Sequence, residues 1–138
     1  MMISTKGRYA LRVMLGLADC GDVFLSLKDV AEEQQISMKY LEAIVAKLNK
    51  SGLVLSHRGK EGGYRLARPA AEISVADILR SAEGSLVPVS CSGLEGETCS
   101  RADQCLTLPL WRALDRRIET YLTTVSLEDV LQGRVDCE

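Results

Sequence analysis

A mainly α fold with a small β-hairpin wing is what this sequence of 138 residues predicts, on three observations. Apolar residues recur at helical spacing through the first fifty positions. One segment rich in glycine and cations, RGKEGG at 58–63, lies between short apolar runs of strand length. A second long amphipathic stretch follows Pro109. At 46% hydrophobic, the chain can bury a core without disulfides. It has no run of eighteen apolar residues, so no membrane span is expected. MMISTKGRYALRVMLGLADC has charges inside its apolar stretch and no small-residue cleavage site, so it does not read as a signal peptide. A cytoplasmic, reducing setting is expected, where cysteines serve more often as ligands or catalysts than as disulfides. Five cysteines, an odd number, also argue against a closed disulfide framework.

STKGRYALRVMLGLADCG reads as the first helix, with Leu11, Met14, Leu15 and Ala18 on one face and Gly21 as its stop. Ser4 or Thr5 is expected to cap it through a side-chain hydroxyl. Ser26 and Asp29 come close to a capping box and open a second helix over about 27–34. After a break at Gln35-Ile36, Ser37 caps a third helix, MKYLEAIVAKLNKSG. Leu41, Ile44, Val45 and Leu48 form its apolar face, and Lys39, Glu42, Ala43, Ala46, Lys47 and Lys50 the other. Leu53–Leu55 and Tyr64–Leu66 are short strands about the RGKEGG loop. Two helices joined by a tight turn and then a hairpin is the order of a winged helix-turn-helix.

SVADILRSAEG, with Ser74 and Asp77 at its start and Gly84 at its end, is a fourth helix. The cysteine loop follows, and Pro109 then fits the first turn of a long helix. Trp111, Leu114, Ile118, Tyr121 and Val125 step by alternating threes and fours, a seam that calls for a partner helix. SLEDVL reads as a last short helix. The expected organisation is a winged helix-turn-helix DNA-binding region at 1–69, a connecting helix at 70–88, a cysteine-rich loop at 89–108, and a dimerisation helix with a C-terminal tail at 109–138.

The net charge of −2 conceals a division. Residues 1–69 carry eleven Lys/Arg against seven Asp/Glu, and residues 70–138 carry six against twelve. Such asymmetry fits a chain whose first half alone meets a polyanion. On the third helix, Lys39, Lys47 and Lys50 can neutralise phosphates while Ala43 and Ala46 permit close approach. Glu42 can accept from the amino group of cytosine, and Ser37 lies where recognition helices touch bases. Arg58, beside Gly59 on a thin hairpin, suits a minor groove or a phosphate pair. Lys6, Arg8 and Tyr9 can clamp the backbone, and Tyr40 completes the set. The plainer readings are a solvated lysine face, half-buried tyrosines at 9 and 40, and a Lys39–Glu42 pair. Helix-turn-helix proteins usually act as dimers on two half-sites of double-stranded DNA, so a pseudo-palindromic operator and a homodimer are expected.

VSCSGLEGETCSRADQCLT carries Cys91, Cys99 and Cys105 and no histidine. The tight C-x2-C pair of structural zinc sites is missing. Wider spacing in a loop with glycines can wrap an iron–sulfur cluster, and redox-active or inert free thiols remain alternatives. No Ser/His/Asp triad, phosphate loop with lysine or paired His/Glu motif is present. His57, the sole histidine, belongs to the wing, so an enzyme is not expected. A winged helix that binds protein instead of DNA is the other alternative.

STKGRYALRVML, SLKDVAEEQQISMKYLEAIVAKLNKSGLV, RGKEGGYRLAR, ISVADILRSAEG and CLTLPLWRALDRRIETYLTTVSLEDV occur in the order of the Rrf2 family of bacterial winged-helix transcription regulators. The chain resembles that family over nearly its whole length. The resemblance implies a homodimer, a winged helix-turn-helix and, in cysteine-bearing members, an iron–sulfur cluster near the dimer helix. Cys91, Cys99 and Cys105 fall at its cluster cysteines, and a two-iron two-sulfur form is expected. Ser37, Lys39 and Glu42 fall at base-contacting positions, Arg58-Gly59 at the wing tip, and Lys6, Arg8 and Tyr9 at backbone contacts.

Three positions depart from the family. CSGLEGETC is two residues longer than its usual interval between the first two cysteines. Leu108 stands where the iron–sulfur member has a histidine, and Arg8 where the nitric-oxide sensor has an acid. The fourth ligand therefore stays open among Glu95, Glu97, Asp103, Cys20, Cys137 and a bound small molecule. Repression without a cluster, through a thiol switch or a partner protein as in cysteine metabolism, is the alternative.

Overall fold

The computed structural model describes residues 3–60, 62–91, 94–96 and 99–136. Six α-helices and one hairpin follow in order: α1 Thr5–Asp19, α2 Leu27–Gln34, α3 Met38–Lys50, β1 Val54–His57, β2 Gly63–Leu66, α4 Val75–Glu83, α5 Leu108–Thr124 and α6 Leu127–Leu131. Short 3-10 turns at Ala70–Glu72 and Ala102–Gln104 lie before α4 and α5.

Local chemistry starts most of these helices. Ser26, Ser37, Ser74 and Ser126 each accept from the backbone N–H three residues on, supplying a partner to a first-turn donor that has none within the helix. At Ser74 and Ser126 the acid three residues later returns the bond, so α4 and α6 begin with complete capping boxes. Between α2 and α3, Gln35 takes the left-handed conformation (φ 55°), which makes the turn short. α1 differs from the expectation. Ser4 is its N-cap, but the Ser4 side chain makes no capping bond. Glu83 supplies the acceptor from the far end of α4.

β1 and β2 pair antiparallel with Val54 opposite Leu66 and His57 opposite Gly63. Leu25 adds a third strand position. Its N–H donates to the Tyr64 carbonyl at 2.9 Å, and its carbonyl accepts from Tyr64 at 2.8 Å. Gly63 permits this approach, because a Cβ there would lie 2.1 Å from the Leu25 carbonyl oxygen.

The main core gathers Ala10, Val13, Met14 and Leu17 of α1, Leu41, Ile44, Val45 and Leu48 of α3, and Ile73 and Ile78 around α4. Leu127 of α6 belongs to it with no exposed surface. The Leu127 N–H donates to Ile73 at 2.8 Å and the Val75 N–H to Val125 at 2.9 Å, so α6 is stitched to the start of α4. Leu122, Val125 and Val130 pack with Leu11 on a second apolar cluster of Val75, Ala76, Leu79 and Leu86.

The expected seam on α5 is divided between two faces. Trp111, Ile118 and Val125 are half-buried. Leu114 (38% exposed) and Tyr121 (53%) face outward with Leu110 (59%). The reason is angular. At about 100° per residue, the five positions spread over roughly a quarter turn, and the body of the protein takes one edge of that arc.

Candidate nucleic-acid interface and cysteine loop

α3 presents the two faces its sequence encodes. Leu41, Ile44, Val45 and Leu48 are buried, while Lys39, Glu42, Ala43, Ala46, Lys47 and Lys50 are exposed. Among the described residues, no ion pair joins Lys39 to Glu42. The Ser37 hydroxyl accepts from the Tyr40 N–H at 3.3 Å, so it caps the helix from an exposed position.

Glu83 sets the start of α1. Its Oε1 accepts from the Ser4 N–H at 2.8 Å, the Ser4 hydroxyl at 2.7 Å and the Gly7 N–H at 3.2 Å. A Cβ on Gly7 would stand 2.5 Å from that oxygen, so a larger residue there would push the carboxylate aside. Lys6 and Arg8, on either side, are exposed. Lys6 shares a small cavity of about 60 Å³ with Tyr40, Ala43, Ile44 and Lys47 of α3 and Ala82 of α4. The cations of α1 and α3 therefore border one concave surface.

Tyr9 and Tyr40 meet edge to face, with ring centroids 5.7 Å apart. Both are half-buried against the main core. The Arg12 guanidinium lies over Tyr9 and donates to the Gln34 carbonyl at 2.8 Å. This pair joins α1 to α3, and that packing limits what either ring offers a ligand.

Arg58 and Gly59 are exposed on the connection between the strands, ahead of exposed Lys60. Behind them the His57 ring stacks on Phe24 at 5.3 Å, and Arg65 covers Phe24 at 4.7 Å. The one histidine is thus a wing residue.

In the cysteine loop, the Cys91 carbonyl accepts from Leu94 and Glu95, and the Cys99 carbonyl from Ala102. Cys91, Cys99 and Cys105 are free thiols of intermediate exposure. Cys105 Sγ lies 3.4 Å from the Thr107 hydroxyl. That hydroxyl, then the Thr107 and Leu108 N–H groups and the Arg101 charge, hold its pKa below the usual thiol range. Three thiols on one polar segment, one of them acidified, are the soft donors that iron–sulfur clusters take, so the residues fit such a group in kind. Among the described residues, no three His, Cys, Asp or Glu side chains converge as a metal-holding group.

The candidates for a fourth donor divide. Leu108 is turned inward at 2% exposure, so packing occupies the position where a ligand was expected. Burial, then Asp19 and Glu33, push the Cys20 thiol up, which makes it a poor thiolate. Glu95 and Asp103 are exposed. Glu97 and Cys137 lie outside the described residues.

Sequence reasoning missed Glu83. A signal was available: a carboxylate in the last turn of a helix faces the negative end of its dipole. A residue placed there against its own helix has a partner elsewhere.

An amphipathic recognition helix, a basic hairpin and an appended long helix define a winged-helix protein of the DNA-binding regulator class. Residues 3–133 match the family described as Rrf2, iron-dependent transcriptional regulator. The HTH-type transcriptional regulator IscR of Xenorhabdus nematophila is 41% identical over 135 residues, covering 97% of this chain and 81% of the relative. Among solved structures, CymR, the global cysteine regulator of B. subtilis, superposes with a TM-score of 0.77 at 37% identity, covering 99% of both chains. IscR of T. potens does so at 0.72 and 38%, covering 98% of this chain and 89% of that one. The chain belongs to the Rrf2 family of transcriptional regulators, proteins that act by regulation and not as enzymes. No helix among the described residues is long and apolar enough to cross a membrane.

Proposed function

We propose that the protein is a homodimer that binds a pseudo-palindromic stretch of double-stranded DNA and whose affinity answers to an iron–sulfur cluster held by Cys91, Cys99 and Cys105. The observation that carries the DNA reading is the outer face of α3, where Lys39, Glu42, Ala43, Ala46, Lys47 and Lys50 are all exposed opposite a buried apolar face. Lys6, Arg8 and Tyr9 then bear on the phosphate backbone, Ser37, Lys39 and Glu42 on base edges with Tyr40 beside them, and Arg58-Gly59 on the adjoining groove. The outward stripe of Leu110, Leu114 and Tyr121 gives a second copy an apolar face to cover. That pairing would set two α3 helices about one helical turn apart.

Cys91, Cys99 and Cys105 supply thiolates, and the Thr107 hydroxyl lowers the pKa of Cys105. When bound, the cluster supplies an iron centre sensitive to iron supply, oxygen or nitric oxide. Glu95, Glu97, Asp103, Cys137 or a small molecule completes the donor set. The resemblance to IscR proteins supports the cluster over bare thiols.

A thiol switch without metal is the second reading, and the acidified Cys105 favours it, since thiolates are the oxidisable form. Iron and sulfide analysis of protein purified without air separates the two. The cluster reading expects iron, acid-labile sulfide and a visible spectrum that Cys91→Ala, Cys99→Ala and Cys105→Ala each abolish. A colourless protein after reconstitution sinks the cluster and leaves the DNA reading standing.

A further inference from the structure

The last turn of α4 is bonded to both elements that carry the DNA-facing cations. Glu83 accepts from Ser4 and Gly7 at the start of α1. One residue earlier, the Ala82 carbonyl accepts from Lys47 Nζ of α3 at 3.4 Å. Before that, the Ser81 hydroxyl donates to the Lys47 carbonyl at 3.1 Å and lies 2.8 Å from the Ser51 hydroxyl. Three consecutive side chains or carbonyls thus reach α1 and α3. The chain then leaves through Gly84 towards Cys91.

We propose that Glu83 is a positioning residue: its carboxylate locks the first turn of α1 so that Lys6 stands against the α3 face, and it links that geometry to the segment leading into the cysteine loop. The proposal rests on the reading that the protein binds DNA. The physical basis is threefold. The first N–H groups of α1 have no partner within the helix, and no side chain of α1 itself caps them. One carboxylate oxygen accepting three donors makes charge-assisted bonds, which hold geometry more firmly than neutral ones. Gly7 lets the carboxylate sit this close, because a Cβ there would stand 2.5 Å from that oxygen and displace it. Without Glu83 the first turn frays, and Lys6 loses its fixed place beside Lys47.

The test is duplex DNA of mixed sequence, with the dissociation constant measured by anisotropy across a salt series. Counterion release makes the slope of log affinity against log salt a count of phosphates engaged. Glu83→Ala is expected to weaken binding about tenfold and to lower the slope by about one, the loss that Lys6→Ala gives. Lys6→Ala added to Glu83→Ala is expected to cost little more, because the two act through one contact. Glu83→Gln, which keeps an accepting oxygen, is expected to retain most of both. Glu83→Asp serves if the alanine variant does not fold: it keeps the charge, withdraws the carboxylate by one methylene, and is expected to lose slope. A wild-type slope in Glu83→Ala or Glu83→Asp, or full additivity with Lys6→Ala, overturns the proposal even if thermal stability falls. Wild-type protein that fails to bind duplex DNA at low salt overturns the DNA reading itself, and this proposal with it.

Discussion

Arg80 of α4 and Glu119 of α5 form an ion pair, and among the described residues no other ion pair ties α5 to the remainder of the chain. Both side chains are 44% exposed, so the pair contributes no more than about 1 kcal/mol. Its role is orientation, because it holds the inner edge of α5 while Leu110, Leu114 and Tyr121 stay outward. Glu119→Gln is therefore expected to leave the protein dimeric with a small loss of stability. Leu114→Glu, which puts a charge into the outward stripe, is expected to shift sedimentation towards monomer. A Leu114→Glu protein that remains dimeric at low concentration would place the dimer contact elsewhere.

Leu127 makes a separate prediction. It is fully buried in the main core although only two residues separate it from the end of α5. Leu127→Ala is expected to cost about 2–5 kcal/mol in urea unfolding. Leu106→Ala, at a side chain 95% exposed, is expected to change stability by less than about 0.5 kcal/mol.

The wing and the recognition helix are expected to fail in different ways. Arg58→Ala removes an exposed cation and should weaken binding to all sequences, lowering the salt slope by about one. Glu42→Ala removes the one carboxylate on the outer face of α3 and should broaden the preferred sequences with little loss of affinity. Selection from a random DNA pool measures both. An unchanged consensus for Glu42→Ala would remove it from base readout.

Cys105 and Cys20 are shifted in opposite directions, and alkylation of the metal-free, reduced protein reads the difference. Half-maximal reactivity is expected below the ordinary thiol range at Cys105 and above it at Cys20. Thr107→Val should move Cys105 upward. The sign for stability follows. The fold favours the Cys105 thiolate, so its contribution is present at alkaline pH and is lost as pH falls through the lowered value. Equal midpoints at the two cysteines would contradict the geometry.

What could be read from the sequence was what local chemistry decides. Ser26, Ser37, Ser74 and Ser126 act on N–H groups three residues away, and such short-range capping can be read off a string of letters. The cap of α1 could not, because its acceptor lies 79 positions from Ser4. The α5 seam misled for a similar reason. Periodicity marks an apolar arc but not which edge the body takes, and the inner cluster of Val75, Ala76, Leu79 and Leu86 took Leu122 and Val125. The faces of α3 were legible residue by residue. The adjacency of Lys6 to Ala43 and Lys47 was not, since it depends on how α1 crosses α3. The three cysteines are evident in the sequence as candidate donors. Their spacing leaves a fourth ligand undecided, and Leu108, buried and without a donor atom, offers none.

Control of DNA binding by the cysteine loop is what the proposed function stands on. The most direct measurement is the affinity of protein purified without air for DNA selected by that same protein, before and after removal of its iron with a chelator at fixed salt. A change of about tenfold or more, absent in Cys91→Ala and Cys105→Ala, is the predicted result. Equal affinity in both states, with iron release verified, would contradict it.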